Sequence, residues 1–312
     1  MKLKGILTIT RPQFLILSVI LGFLGSAIAW YEHQEYGGPF NLGYAFLATF
    51  GLMVAHMSVN TFNDYFDSRS TLDNKTERTP FSGGSGAIQS GLLTEKQALW
   101  VGIATLIVII PIGIFFVLVS GLLLLPLLAV AIICIILYTP LILKMGYPEW
   151  SAGLGLGVLP VLGAYFVQTG TYTMGAVLAS IPSGILVHNL LLLNEFPDAE
   201  HDITVKRRTL PIFVGKKKAA IFYSTLTVVV YLWLIGTVIH GGLPALNFIH
   251  GEMPAFTLLG LLTFPLAFKA IDGSFKYNDK SKFIPAMATN VIVVLATQLL
   301  IGVGFVIGGI LK

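Results

Sequence analysis

The sequence predicts an all-α polytopic membrane protein, a bundle of nine transmembrane helices around a central cavity open to the cytoplasmic side. Three observations carry the prediction: a scarcity of charge, a count of nine apolar runs, and a one-sided distribution of basic residues. Of the 312 residues, 55% are hydrophobic and 11% charged, against about a quarter charged in a soluble domain. So few charges cannot solvate a globule of this size, and lipid must replace water over much of its surface.

A helical span needs ~20 mostly apolar residues, fewer where neighbours shield it. The qualifying stretches are 14–30, 44–62, 98–119, 122–137, 152–167, 174–193, 219–239, 255–268 and 285–311. They are too long for barrel strands and lack the alternation a barrel shows. Only Ser120 and Gly121 separate the third from the fourth, so that turn must be tight. The one cysteine, Cys134, lies inside an apolar run and has no partner for a disulfide within the chain. Residues 1–312 read as a single domain.

Nine spans place the termini on opposite sides, and Lys and Arg decide which side is which. One set of segments carries Lys2, Lys4, Arg11, Arg69, Lys75, Arg78, Lys96, Lys144, Lys206, Arg207, Arg208, Lys216, Lys217, Lys218, Lys269, Lys276, Lys280 and Lys282, and the other only Lys312. This expects a cytoplasmic N-terminus, an outside C-terminus and residence in the cell (inner) membrane. Dropping one span would scatter the basic clusters to both sides. A competing reading takes the first run, ending in Ala27-Ile28-Ala29 after Lys2 and Lys4, as a cleavable signal peptide. The net charge of +4 belongs to the basic skirt and gives no reason to expect nucleic acid.

The acids fall in two clusters. Asn63-Asp64-Tyr65-Phe66-Asp67 is followed by Asp73 and Glu77, and Asn194-Glu195-Phe196-Pro197-Asp198 by Glu200 and Asp202. Both read Asn, acid, two residues, Asp, at the cytoplasmic ends of the second and sixth runs. The interval of four spans suggests two parallel four-helix copies, about 10–145 and 150–285. Residues four apart share a helix face, so Asn63 and Asp67 align with His56 and Asn60. Asn194, Asp198 and Asp202 follow the same step, with His188 and Asn189 deeper. Polar residues in spans face the bundle interior and tend to be functional.

Facing carboxylates repel unless a hard cation intervenes. Mg²⁺ is held by one or two carboxylates plus substrate phosphates. A diphosphate bridged by such ions leaves readily, because the metal neutralises the developing charge. An allylic isoprenoid fits this setting, with its tail among apolar helices and its diphosphate at the mouth. Arg11, Arg69, Arg78 and Lys144 lie near enough in sequence to hold phosphate oxygens. The other reading of an acid is a surface charge paired with a neighbouring base. It suits Glu77, Glu95, Glu149, Glu200, Asp272 and Asp279, whereas the duplicated spacing sets Asp64, Asp67, Asp198 and Asp202 apart, with Asp73 between. His56 and His188 read either as ligands or as interhelical hydrogen-bond partners.

These motifs resemble the UbiA superfamily of intramembrane prenyltransferases. Asn63 to Asp67 through Asp73 resembles its first Asp-rich motif, and Asp198 to Asp202 its second. Arg11-Pro12, Tyr138-Thr139-Pro140 with Lys144, the stretch Leu162 to Gly170 and the stretch Asn194 to Gly215 extend the likeness over the chain. The last two are similar to the subgroup that prenylates 1,4-dihydroxy-2-naphthoate in menaquinone biosynthesis. Glu195-Phe196-Pro197 departs from that subgroup, and Arg207-Arg208 stands where its Gly commonly lies. The resemblance implies nine helices and a Mg²⁺-dependent transfer from a polyprenyl diphosphate, geranylgeranyl or longer, to an aromatic acceptor. It implies two Mg²⁺ ions held by Asn63, Asp67, Asp198 and Asp202, with Asp64, Asp67, Asp198, Asp202 and Tyr138 taking part in catalysis. It further implies substrate contacts from Asn63, Arg11, Arg69, Arg78, Lys144, Asn194 and Asp73. The Gly- and Ser-rich loop 80–91 is expected to act as a lid.

Two rivals stay open. A non-aromatic lipid acceptor such as geranylgeranylglyceryl phosphate would need extra basic residues, and Arg207 and Arg208 are available. A transporter would place its polar residues near the midplane at broken helices, whereas these acids lie at one membrane edge.

Overall fold

The structure is a computed structural model that describes residues 3–70, 79–241 and 253–312. A short helix, α1 (Leu3–Thr10), precedes the bundle. Among the described residues nine helices are long and apolar enough to cross a membrane: α2 (Ile16–Tyr36), α3 (Leu42–Ser70), α4 (Glu95–Ser120), α5 (Leu122–Met145), α6 (Glu149–Thr169), α7 (Met174–Asn194), α8 (Lys216–Gly241), α9 (Ala255–Ser274) and α10 (Lys280–Ile310). All nine expected spans are present. The apolar runs understate them, because helices continue past their lipid-matched centres into polar ends.

Local sequence fixes several ends. Thr94 and Gln97 form a reciprocal capping box that starts α4. Thr173 caps α7 by accepting from the Ala176 N–H at 3.2 Å. The tight turn between α4 and α5 rests on Gly121, whose φ of 114° a side chain would resist. Two spans are not regular throughout. Tyr138–Ile142 in α5 and Leu154–Val158 in α6 take the wider π form, which frees backbone groups and re-aims side chains.

Helices α2 and α7 are the most enclosed, and α4 and α5 the most lipid-facing. The main cluster joins Leu21, Leu24 and Ile28 of α2 to Tyr165 of α6, Leu186 of α7, Leu234 of α8 and Val293 and Ile301 of α10. Small residues permit the closest crossings, as lipid-embedded helices require. A methyl group added at Gly157 of α6 would stand 2.7 Å from Gly184 Cα of α7. Several polar groups at membrane depth are paired across elements. His56 bonds Ser18 Oγ at 2.9 Å, and His188 bonds Tyr147 Oη at 2.7 Å. Asn189 donates to Thr227 Oγ1 at 2.9 Å. His188 and Asn189 thus turn toward α8 and away from the cavity, against the expectation that they extend the acidic face.

Candidate active site

A cavity of about 880 Å³ lies among α2 to α7. Its deep part is apolar, lined by Ile109, Ile112 and Phe116 of α4 and Leu128 and Ile132 of α5. Its mouth is polar. Asn60, Asn63 and Asp67 of α3 reach it, as do Asn194 of α7 and the following Glu195, Asp198 and Asp202. His56 also lines it, so the four-residue step along α3 runs down the wall as the sequence implied. On the other side the step is broken. α7 stops at Asn194, a turn carries Glu195 to Asp198, and a short helix, Ala199–Asp202, restores the direction.

Arg207 ties the two motifs together. Its guanidinium donates to Asp67 and, at 3.2 Å, to Asp202. Burial works against the charge on Arg207, but Asp67 and Asp202 overcome it and raise its pKa. The basic group facing both motifs is therefore one that the sequence offered only as a replaced glycine and as a spare cation for a phosphorylated acceptor. The left-handed residue of that loop is Lys206, at φ 62°.

Burial pushes Asp198 up to about 7, with the Asp202 charge adding to it and Ser82 and the Gly83 N–H pulling down. Burial likewise pushes Asp202 up to about 6, against the opposing pull of Arg207. Raised carboxyls hold protons that the unfolded chain would release near its ordinary value of about 4. The folded state then binds more protons between about 4 and about 7, and stability falls as pH rises through that window. Thermal unfolding of the purified protein over that range, without divalent ions, is expected to show this slope.

Asp64 departs from the expected role. It does not line the cavity: it receives the Arg11 guanidinium and the Ser85 hydroxyl, and the Ser85 N–H donates to both its oxygens at 3.2 Å. It positions Arg11, itself left-handed at φ 49°, and anchors the loop after Thr79. Residues 81–84 of that loop line the mouth, and Gly83 and Gly84, at φ 86° and 75°, let it turn there. The expected lid is thus tied down at Ser85.

Other expectations are corrected by exposure. Lys144 is exposed beyond the π turn of α5 and does not line the cavity. Arg69 is exposed and bonds Tyr65 Oη at 3.1 Å, because its place on α3 faces away from Asp67. Arg78, Asp73 and Glu77 lie outside the described residues. Tyr138 does line the cavity, and Asn63 donates to Thr139 Oγ1 beside it at 3.1 Å. Glu149, expected at the surface, is fully buried. Its neighbour in the chain is Pro148, and no pattern in the sequence marked it.

Residues 33–292 match the profile of the UbiA prenyltransferase family. The chain belongs to this family. UbiA-family members are prenyltransferases, so the protein is an integral membrane enzyme that transfers isoprenoid chains. It is 30% identical to a 1,4-dihydroxy-2-naphthoate octaprenyltransferase of Bacillus subtilis, over 75% of this chain and 73% of that one. It is 28% identical to a digeranylgeranylglyceryl phosphate synthase of Thermococcus kodakarensis, over 73% and 76%. The UbiA fold is shared with a homolog from Aeropyrum pernix K1 (TM-score 0.68, 18% identity, 95% and 98% covered). A homolog from Archaeoglobus fulgidus bound to GPP and Mg²⁺ is similar too (TM-score 0.58, 14% identity, 97% and 99% covered).

Proposed function

We propose that this enzyme transfers a polyprenyl chain, geranylgeranyl or longer, to an aromatic acceptor of the 1,4-dihydroxy-2-naphthoate type. The observation that carries the reading is the division of one cavity into a carboxylate-lined mouth and a deep apolar end. The mouth suits a diphosphate, and the apolar end suits a hydrocarbon tail.

The donor set at the mouth fits a hard divalent ion. Asp67, Asp198 and Asp202 offer carboxylates and Asn63 an amide oxygen. That suits Mg²⁺, which keeps waters and takes its remaining ligands from phosphate. We assign Asn63, Asp67, Asp198 and Asp202 to hold two such ions, and bound Mg²⁺ would neutralise charge on the departing diphosphate. Arg207, displaced from Asp67 and Asp202, turns its guanidinium to phosphate oxygens. Arg11, held by Asp64, stands at the same mouth. Asn194 orients the diphosphate, and the Tyr138 ring faces the allylic carbon and stabilises positive charge there. Residues 81–84 close over the bound diphosphate.

The choice of acceptor rests on charge. A phosphorylated lipid would bring about −1.5 to −2 of charge beside the diphosphate, whereas the naphthoate brings a single carboxylate. Arg208 is exposed and Arg207 is already assigned to the donor diphosphate, while the cavity wall carries a further acid, Glu195. That environment favours an acceptor with hydroxyl groups. The basic residues support an N-terminus and an active site on the cytoplasmic side of the cell (inner) membrane.

The deciding experiment supplies geranylgeranyl diphosphate and Mg²⁺ to purified protein with 1,4-dihydroxy-2-naphthoate or geranylgeranylglyceryl phosphate. Prenylation of the naphthoate alone is the expected result. Prenylation of the phosphorylated lipid alone would overturn the acceptor assignment.

A further inference from the structure

The cavity wall holds a second acidic locus that neither Asp-rich motif uses. Glu149 opens α6 and is 0% exposed. Its Oε1 accepts the Leu210 N–H at 2.6 Å, no amide, hydroxyl or cation among the described residues donates to its Oε2, and its carboxyl lies within hydrogen-bonding reach of that of Glu195. Glu195 follows α7, is 6% exposed and lines the cavity. No amide, hydroxyl or cation among the described residues donates to either of its oxygens. The charge acting most strongly on it is that of Glu149, followed by Asp202, with Arg207 opposing.

Buried carboxyl groups left without donors are costly, and native structures seldom keep them without a reason. Pairing two acids worsens the cost unless they share a proton. Burial and the adjacent Glu149 do hold the Glu195 carboxyl well above the usual range. A structural pair would be sealed off from space, yet this one borders an open cavity. What would satisfy it is a ligand that brings O–H donors and no negative charge at that point. Tyr138, on which the Glu195 charge acts, and Val187, Leu190 and Leu191 of the preceding α7 turns line the same cavity, apolar surface for a flat ring.

We infer that Glu195, positioned by Glu149, binds a ring hydroxyl of the acceptor and takes the proton that the ring gives up when it is prenylated. This rests on the aromatic-acceptor reading above. In the step, the C1–O bond of the prenyl diphosphate breaks and its electron pair leaves with diphosphate. A ring carbon forms the new C–C bond to C1. The hydroxyl oxygen becomes a carbonyl as its proton passes to a Glu195 oxygen; the alkylated carbon then loses its carboxylate as carbon dioxide, and Glu195 returns the proton to the oxygen, which restores the aromatic ring. No redox partner is needed. Glu149 acts through Glu195 and is a positioning residue, whereas Glu195 touches the acceptor.

The test compares wild type with Glu195→Gln, Glu195→Ala and Glu149→Gln, using geranylgeranyl diphosphate, Mg²⁺ and 1,4-dihydroxy-2-naphthoate. Glu149→Gln keeps an amide oxygen for the Leu210 N–H, so it guards against simple unfolding, and thermal unfolding midpoints check each variant. Glu195→Gln is expected to lose roughly 100-fold in kcat and to raise the KM for acceptor. Equilibrium binding of geranylgeranyl diphosphate with Mg²⁺ should stay at its wild-type value, and added formate should restore part of the turnover of Glu195→Ala. Wild-type kcat and KM in folded Glu195 variants would overturn the inference, as would a loss confined to prenyl diphosphate affinity. If wild type prenylates only a phosphorylated lipid, the acceptor reading fails first and takes this inference with it.

Discussion

Replacing Asp67 by Asn is expected to lower Mg²⁺-dependent diphosphate release by at least ~100-fold, the scale seen when one group stabilising developing charge is removed. Asp67 sits near the C-terminal end of α3, is 5% exposed, and meets Arg207 across the cavity. Asn keeps its shape and one oxygen but removes the charge that a divalent ion requires. Asp198→Asn should lose a similar factor from the opposite wall. Neutralising Asp67 also takes from Arg207 one of its two carboxylates, so the metal-free variant should unfold at a lower midpoint than wild type, by less than a loss of Arg207 itself because Asp202 still holds the guanidinium. Release of diphosphate from geranylgeranyl diphosphate by folded, purified variants is the measurement. Wild-type rates in either variant would remove the two motifs from the reaction.

Arg207→Met is the second large effect, and its sign depends on the metal. Without divalent ions the change leaves Asp67 and Asp202 buried with their shared cation gone. Breaking a buried ion pair from one side costs about 3–5 kcal/mol, and the unfolding midpoint should drop accordingly. Mg²⁺ with geranylgeranyl diphosphate should recover most of that loss, since the ligands then have cations again. Turnover should still fall, because the guanidinium no longer reaches the diphosphate. A midpoint unchanged without Mg²⁺ would mean that the bridge from α3 to the loop after Asp202 contributes nothing. Thermal unfolding with and without Mg²⁺ decides it.

Much of this was legible in the sequence because lipid imposes strong rules. Nine apolar runs could become little other than nine helices, and their basic flanks follow a charge bias that needs no tertiary knowledge. The step from His56 through Asn60 and Asn63 to Asp67 was readable because α3 is a regular helix over that stretch. The step failed after Asn194, where helix gives way to turn, and His188 and Asn189, six and five residues before Asn194 on the regular α7, were never on its four-residue face. Arg207 and Glu149 were missed for a shared reason. Each acts through a contact far away in sequence, Arg207 with Asp67 and Glu149 with Leu210, and a loop's path cannot be read from periodicity. Lys144 and Arg69 were overvalued because nearness in sequence to a motif says nothing about which way a side chain points.

The apolar depth of the cavity, walled by the two most lipid-facing helices, has a consequence for selectivity. Withdrawing one methylene from water is worth ~0.8 kcal/mol, but a prenyl tail entering from the bilayer leaves hydrocarbon for hydrocarbon. Each added isoprene unit therefore brings almost no solvation free energy to binding. Affinity has to come from the diphosphate end, and donors of different length should compete on nearly equal terms until one no longer fits. Chain length in this enzyme is then a matter of where α4 and α5 block the tail, and a single larger side chain among Ile109, Ile112, Phe116 and Leu128 is enough to move that limit without touching the chemistry.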